Sequence, residues 1–149
     1  MAHNGPMDVL RDLAEQTLNN TTSQLGKVQQ TYRKAMNQLQ ELENYELEYQ
    51  QQFQGSMADK GMSVTTLIVH QSFISSLRTV VKQHNEHVKT CQNSVNQTMQ
   101  LWRQDKRRLN SFETLQSRAE SARLLKENRL EQKMMDEFAQ RAGLRSEML

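Results

Sequence analysis

Apolar residues recur along this chain at alternating spacings of three and four. The first series runs Leu18, Thr21, Leu25, Val28, Tyr32, Ala35, Leu39, Leu42, Glu46, Tyr49, Phe53 without a slip. After an interruption it resumes as Leu67, His70, Ile74, Leu77, Val81, His84, Val88, Cys91, Val95, Thr98, Trp102, Asp105, Leu109, Phe112. Such alternation keeps one face of an α-helix apolar turn after turn and marks a coiled-coil seam. Upstream, Leu10, Ala14 and Leu18 stand four apart, a local stutter. Pro6 precedes the first series where a helix can begin, and Asp8 and Asp12 suit the positive end of its dipole.

The helix breakers fit the same division. Gly55 and Gly61 bracket a short polar stretch, which reads as a hairpin turn, and Ser63 is placed to cap the second helix. No glycine or proline interrupts the chain between Gly61 and Gly143. The expectation is one coiled-coil domain over residues 1–149, with a helix over about 7–54, a loop over 55–63 and a helix over about 64–142. At 1.5 Å per residue the second helix would be roughly 120 Å long. Gly26 falls inside the first helix, at a cost of about 1 kcal/mol relative to alanine.

Two heptad helices joined by a short loop fold back as an antiparallel coiled coil, so the fold class is all-α. Facing positions then add to about 118, which sets Leu18 against the Met99–Trp102 region and Leu10 against Leu109. The polar seam positions Glu46, His70, His84 and Asp105 serve to fix the register. Opposite Phe112 the first helix runs out. Residues from Glu113 to Ala142 are therefore expected to continue as a protruding C-terminal helix without an intramolecular partner. On it Leu115, Ala119 and Ala122 point one way, and Leu124, Met135, Phe138 and Ala142 the other. Arg118, Lys126, Arg129 and Lys133 form a basic stripe, and Glu113, Glu120, Glu127 and Glu131 an acidic one. A helix apolar on opposing sides suits being surrounded by a partner.

Composition narrows the function class. With 36% hydrophobic, 5% aromatic and 24% charged residues, the 149-residue chain is too polar for a thick core yet rich in helix formers. One cysteine excludes an internal disulfide and suits a reducing compartment. The run Leu67-Ile68-Val69 falls far short of the roughly 20 residues that span a bilayer. The start, MAHNGPMDVLRDLAEQ, is acidic where a signal peptide would be basic, so a soluble cytosolic protein is expected. There is no phosphate-cradling glycine loop, no HExxH and no nucleophile motif, and a two-helix hairpin offers little pocket. Neither catalysis nor a cofactor is expected. His84 and His87 could share a metal, but no third ligand is evident beside them, so no metal site is expected. Cys91 falls in the seam and reads as a buried thiol. The run from Arg103 to Arg108 lacks interleaved aromatics and is followed by acidic residues, which favours a solvated face over nucleic-acid binding.

One surface feature is sharper. Gln38, Leu42, Tyr45 and Tyr49 form a four–three–four stripe, and Phe73, Leu77, Val80 and His84 repeat that spacing on the second helix. The register sets the stripes side by side along one edge of the seam. They make either a thick seam or an aromatic patch for a protein partner.

Residues 125–142, LKENRLEQKMMDEFAQRA, resemble the C-terminal signature of the FliJ family, stalk proteins of the bacterial flagellar export ATPase. Leu101-Trp102-Arg103, Leu115-Gln116-Ser117-Arg118, Leu10-Arg11-Asp12-Leu13-Ala14-Glu15 and Tyr45–Tyr49 fit at matching places, so the resemblance covers the whole chain. The hairpin loop matches least well, and Val80 stands where a smaller residue is expected. The resemblance implies an antiparallel coiled coil similar to the rotor stalk of rotary ATPases, in a protein of flagellum biogenesis, motility and chemotaxis. Its paired terminal end would enter the centre of the hexameric ATPase FliI, with Leu124, Arg129, Lys133, Met135, Phe138 and Arg141 on the C-terminal helix at that contact. The patch matching Gln38, Leu42, Tyr45, Tyr49, Phe73, Leu77, Val80 and His84 would contact the export gate protein FlhA. Export chaperones are further implied partners, with peripheral attachment to the inner membrane through the apparatus. Alternatives are the stalk of a virulence-type secretion ATPase, a generic basic coiled-coil adaptor, or a basic coiled-coil nucleic-acid binder whose DNA affinity would fall steeply with salt.

Overall fold

A computed structural model describes residues 5–148. Two helices account for nearly all of them: α1, Pro6–Lys60, and α2, Val64–Met148. No strand occurs among the described residues. The helices pack against each other as an all-α antiparallel hairpin. Pro6 opens α1, with the amides of Asp8 and Val9 donating to the Gly5 carbonyl at 3.1 and 3.3 Å. Ser63 caps α2 as its position suggests, its Oγ accepting from the Thr66 amide at 3.2 Å.

The turn departs from expectation. Gly55 does not break α1, which runs on to Lys60 and leaves only Gly61, Met62 and Ser63 as connection. Gly61 is the turn glycine: its φ is +65°, and its amide donates to the Met57 carbonyl at 3.2 Å. The later pivot changes the register. Trp102 Nε1 donates to Thr22 Oγ1 at 2.9 Å, and Arg78 Nε donates to Glu46 Oε1 at 3.3 Å. Each pair adds to 124, six positions and so nearly two helical turns from the expected 118.

The contacts divide the chain into two units. One comprises residues 19–104. Its seam buries Thr21, Leu25, Ala35, His70, Ile74, Leu77, Val88, Cys91 and Thr98, with the remaining expected seam positions half-buried. Ala35, Val88 and Cys91 form its core, flanked by Tyr32 and Leu39. Each Leu or Val so buried contributes roughly 1.5–3 kcal/mol.

The other unit comprises residues 1–18 and 105–149. Ala14, Leu18 and Leu109 are buried within it. Leu10 is not a seam residue. It is 43% exposed and lines a small cleft of about 120 Å³ with Leu13, Arg108 and Phe112. In this unit the Gln116 amide donates to Asp8, in the first turn of α1. Beyond it, every described side chain from Ser117 to Glu147 is exposed. The expected unpartnered helix therefore begins a turn later than Glu113, where α1 runs out of first-turn contacts.

Candidate protein-docking surfaces

In the 19–104 unit the two stripes do come together. Tyr49 is their hub, its ring centroid 4.6 Å from that of Phe73 and 6.4 Å from that of Tyr45. The altered register makes Tyr49, rather than Tyr45, the ring against Phe73. Gln38, Tyr45, Phe73 and Val80 are exposed, Leu42, Tyr49 and His84 half-buried, and Leu77 buried. Leu77 therefore supports the surface from below rather than forming it. His84 places Nε2 3.1 Å from the Ala35 carbonyl oxygen and so ties the far end of the patch to α1. A row of rings on a rigid helix pair loses little conformational freedom on binding, which suits it to anchoring a protein partner.

Position counting alone did not foresee the partner on the inner side of Tyr49. His70 stacks on Tyr49 with centroids 4.9 Å apart, and Phe53 stacks on His70 as well. The signal was present as an aromatic residue at consecutive seam positions, Tyr49 and Phe53, on one helix. Only the true register shows that His70 faces both. Val69, at 64% exposure, adds an apolar side chain that the stripes do not include.

The histidine pair behaves differently from expectation in one respect. The Sγ of Cys91, buried as its seam position suggests, lies 3.7 Å from His87 Nε2, so a third donor does stand beside the pair. The rings of His84 and His87 are 5.6 Å apart, with His84 turned to the Ala35 carbonyl. Among the described residues no group of three or more His, Cys, Asp or Glu side chains is placed to hold a metal ion.

In the other unit, Leu124, Arg129, Lys133, Met135, Phe138 and Arg141 are all exposed. Met135 and Phe138 are 72% and 74% exposed, values far above those of any seam residue. No ion pair joins Arg129, Lys133 or Arg141 to another described residue, whereas Arg123 bridges Glu120 and Glu127, each at 2.6 Å. The hydrogen bond and charge of Glu120, with the charge of Glu127, raise the Arg123 pKa; Asp12 does the same for Arg11. These pairs link successive turns and support a helix that packing does not.

Across the described residues no helix is long and apolar enough to cross a membrane. A family described as Flagellar FliJ protein matches residues 3–148. Two proteins named Flagellar FliJ protein, from Escherichia coli (strain K12) and Salmonella typhi, are each 37% identical to this chain over 145 residues, covering 97% of it and 98% of themselves. The heptad seam, the two-helix hairpin and this full-length match converge: the chain belongs to the FliJ family of flagellar proteins.

Proposed function

We propose that the chain serves the flagellar protein export apparatus as a non-enzymatic stalk. The free part of α2 enters the centre of the hexameric export ATPase FliI, promoting its assembly and activity. The ring patch engages the export gate protein FlhA, so one helix pair links ATPase and gate. Export chaperones are handled on the same scaffold, in the cytoplasm and peripheral to the inner membrane through the apparatus.

The observation that carries this reading is the stretch from Ser117 to Glu147, helical yet exposed on all sides. A helix displaying Leu124, Met135 and Phe138, with Arg129, Lys133 and Arg141 in no ion pair among the described residues, has apolar and cationic groups for a surrounding partner. The second support is the Tyr45–Tyr49–Phe73 row on the separate unit, which gives one chain two distinct surfaces. Family membership favours the flagellar over the virulence-type system.

Pulldowns test the division of labour. Tyr45→Ala with Phe73→Ala removes two exposed rings and is expected to weaken gate binding at least about tenfold while ATPase binding persists. Equal loss of both interactions would contradict two separate surfaces.

A further inference from the structure

A second groove lies close to the turn, and none of its lining residues belongs to the ring patch. It measures about 770 Å³, within the range of ligand-sized clefts. Phe53, Met57, Leu67 and Ile74 supply its apolar lining, and Arg78 and Lys82 are the only charged side chains along it. Lys82 has no ion-pair partner among the described residues. Arg78 gives Nε to Glu46 and is 63% exposed, leaving the rest of its fork toward solvent. Buried beside the groove, His70 is 8% exposed and its Nδ1 lacks any hydrogen-bond partner among the described residues. An apolar floor rimmed by Gln50, Gln54, Gln71, Ser75 and Thr79, with cations along one end and an orphaned ring nitrogen in its wall, is unfinished surface rather than inert exterior.

We propose that this groove binds an acidic amphipathic helix of a partner protein. The trough runs between two helices and has no sheet edge, so a third helix fits it where an extended strand would leave its backbone groups unpaired. From Leu67 to Lys82 it follows α2 for roughly 22 Å, about four helical turns. Apolar anchors at helical spacing fill the Phe53–Leu67–Ile74 floor. Carboxylates on the flank of the incoming helix reach Lys82 and the free side of Arg78. Its lining shares no residue with the two surfaces assigned above, although His70 in its wall stacks on Tyr49 of the ring patch.

The test uses a fluorescein-labelled synthetic helix of about sixteen residues, matched to the groove, with leucines at heptad spacing and glutamates on its flanks. A companion peptide carries lysine at every glutamate. Both are titrated by fluorescence anisotropy against the full chain. The acidic peptide is expected to bind at least about tenfold tighter than the basic one. Lys82→Glu reverses the free charge, and Ser75→Trp fills the trough from an exposed lining position; each is expected to weaken binding at least about fivefold with unchanged helical circular dichroism. Tyr45→Ala, on the other surface, leaves it intact. Absence of binding, equal affinity for the two peptides, or wild-type affinity in both groove variants overturns the proposal. So does sedimentation showing a dimer that Ser75→Trp dissociates, since the occupant would then be a second copy of the chain.

Discussion

Helix α2 passes through two regimes without a break. From Leu67 to Phe112 its heptad positions are buried or half-buried against α1, whereas from Ser117 to Glu147 every described side chain is exposed. Residue type does not separate the stretches, because Leu124, Met135 and Phe138 are as apolar as Leu77, Val88 and Leu109. What separates them is the availability of α1. The first stretch is helical because packing rewards an apolar stripe. The second has only propensity, an absence of breakers and pairs such as Arg123 with Glu120 and Glu127. Apolar side chains exposed on such a helix add little to its own folding.

Truncating one buried and one exposed apolar residue breaks this contrast most sharply. Leu109→Ala is expected to cost about 2–3 kcal/mol in urea unfolding, while Phe138→Ala leaves the midpoint unchanged. Similar costs at both sites would mean that the terminal stretch is packed after all. At the turn, Gly61→Ala forces a side chain into a positive-φ position and should lose about 1–2 kcal/mol. Gly26→Ala should do the opposite: a Cβ there meets nothing within 4 Å, so the change gains at most about 1 kcal/mol and a slightly higher Tm. The smallest effect belongs to Arg123→Ala. Global unfolding should not move, but amide exchange between Glu120 and Glu127 should quicken. Molar salt, with a screening length of about 3 Å, should produce the same quickening in the parent chain. Glu120 and Glu127 raise the Arg123 pKa, so that cation is retained throughout neutral pH and salt is the lever on the pairing there.

The seam was legible because it is periodic. Leu18 through Phe53 and Leu67 through Phe112 all lost solvent exposure, since a three–four alternation commits one face whatever the partner's offset. The turn was less legible. Gly55 and Gly61 look alike in sequence, yet only Gly61 adopts the backbone angle that requires glycine. Misplacing the pivot shifted the register by six positions, and cross-helix detail failed with it: Leu10 became exposed, and Tyr49 rather than Tyr45 met Phe73. The stripes survived because a seven-residue repeat tolerates a slip of nearly two turns. The Tyr49–His70–Phe53 stack and the Cys91–His87 contact needed side-chain positions that counting cannot supply.

The most direct measurement is ATP hydrolysis by the purified cognate flagellar ATPase, alone, with the full chain, and with a full-length Met135→Asp, Phe138→Asp variant. Both substituted positions are exposed, so the hairpin fold is retained. If the free stretch of α2 is the ATPase-binding element, the parent chain raises the rate and promotes ring assembly, and the variant does neither. A variant that stimulates as well as the parent, or a parent that leaves the rate unchanged, would contradict the stalk reading and leave gate binding as the surviving role.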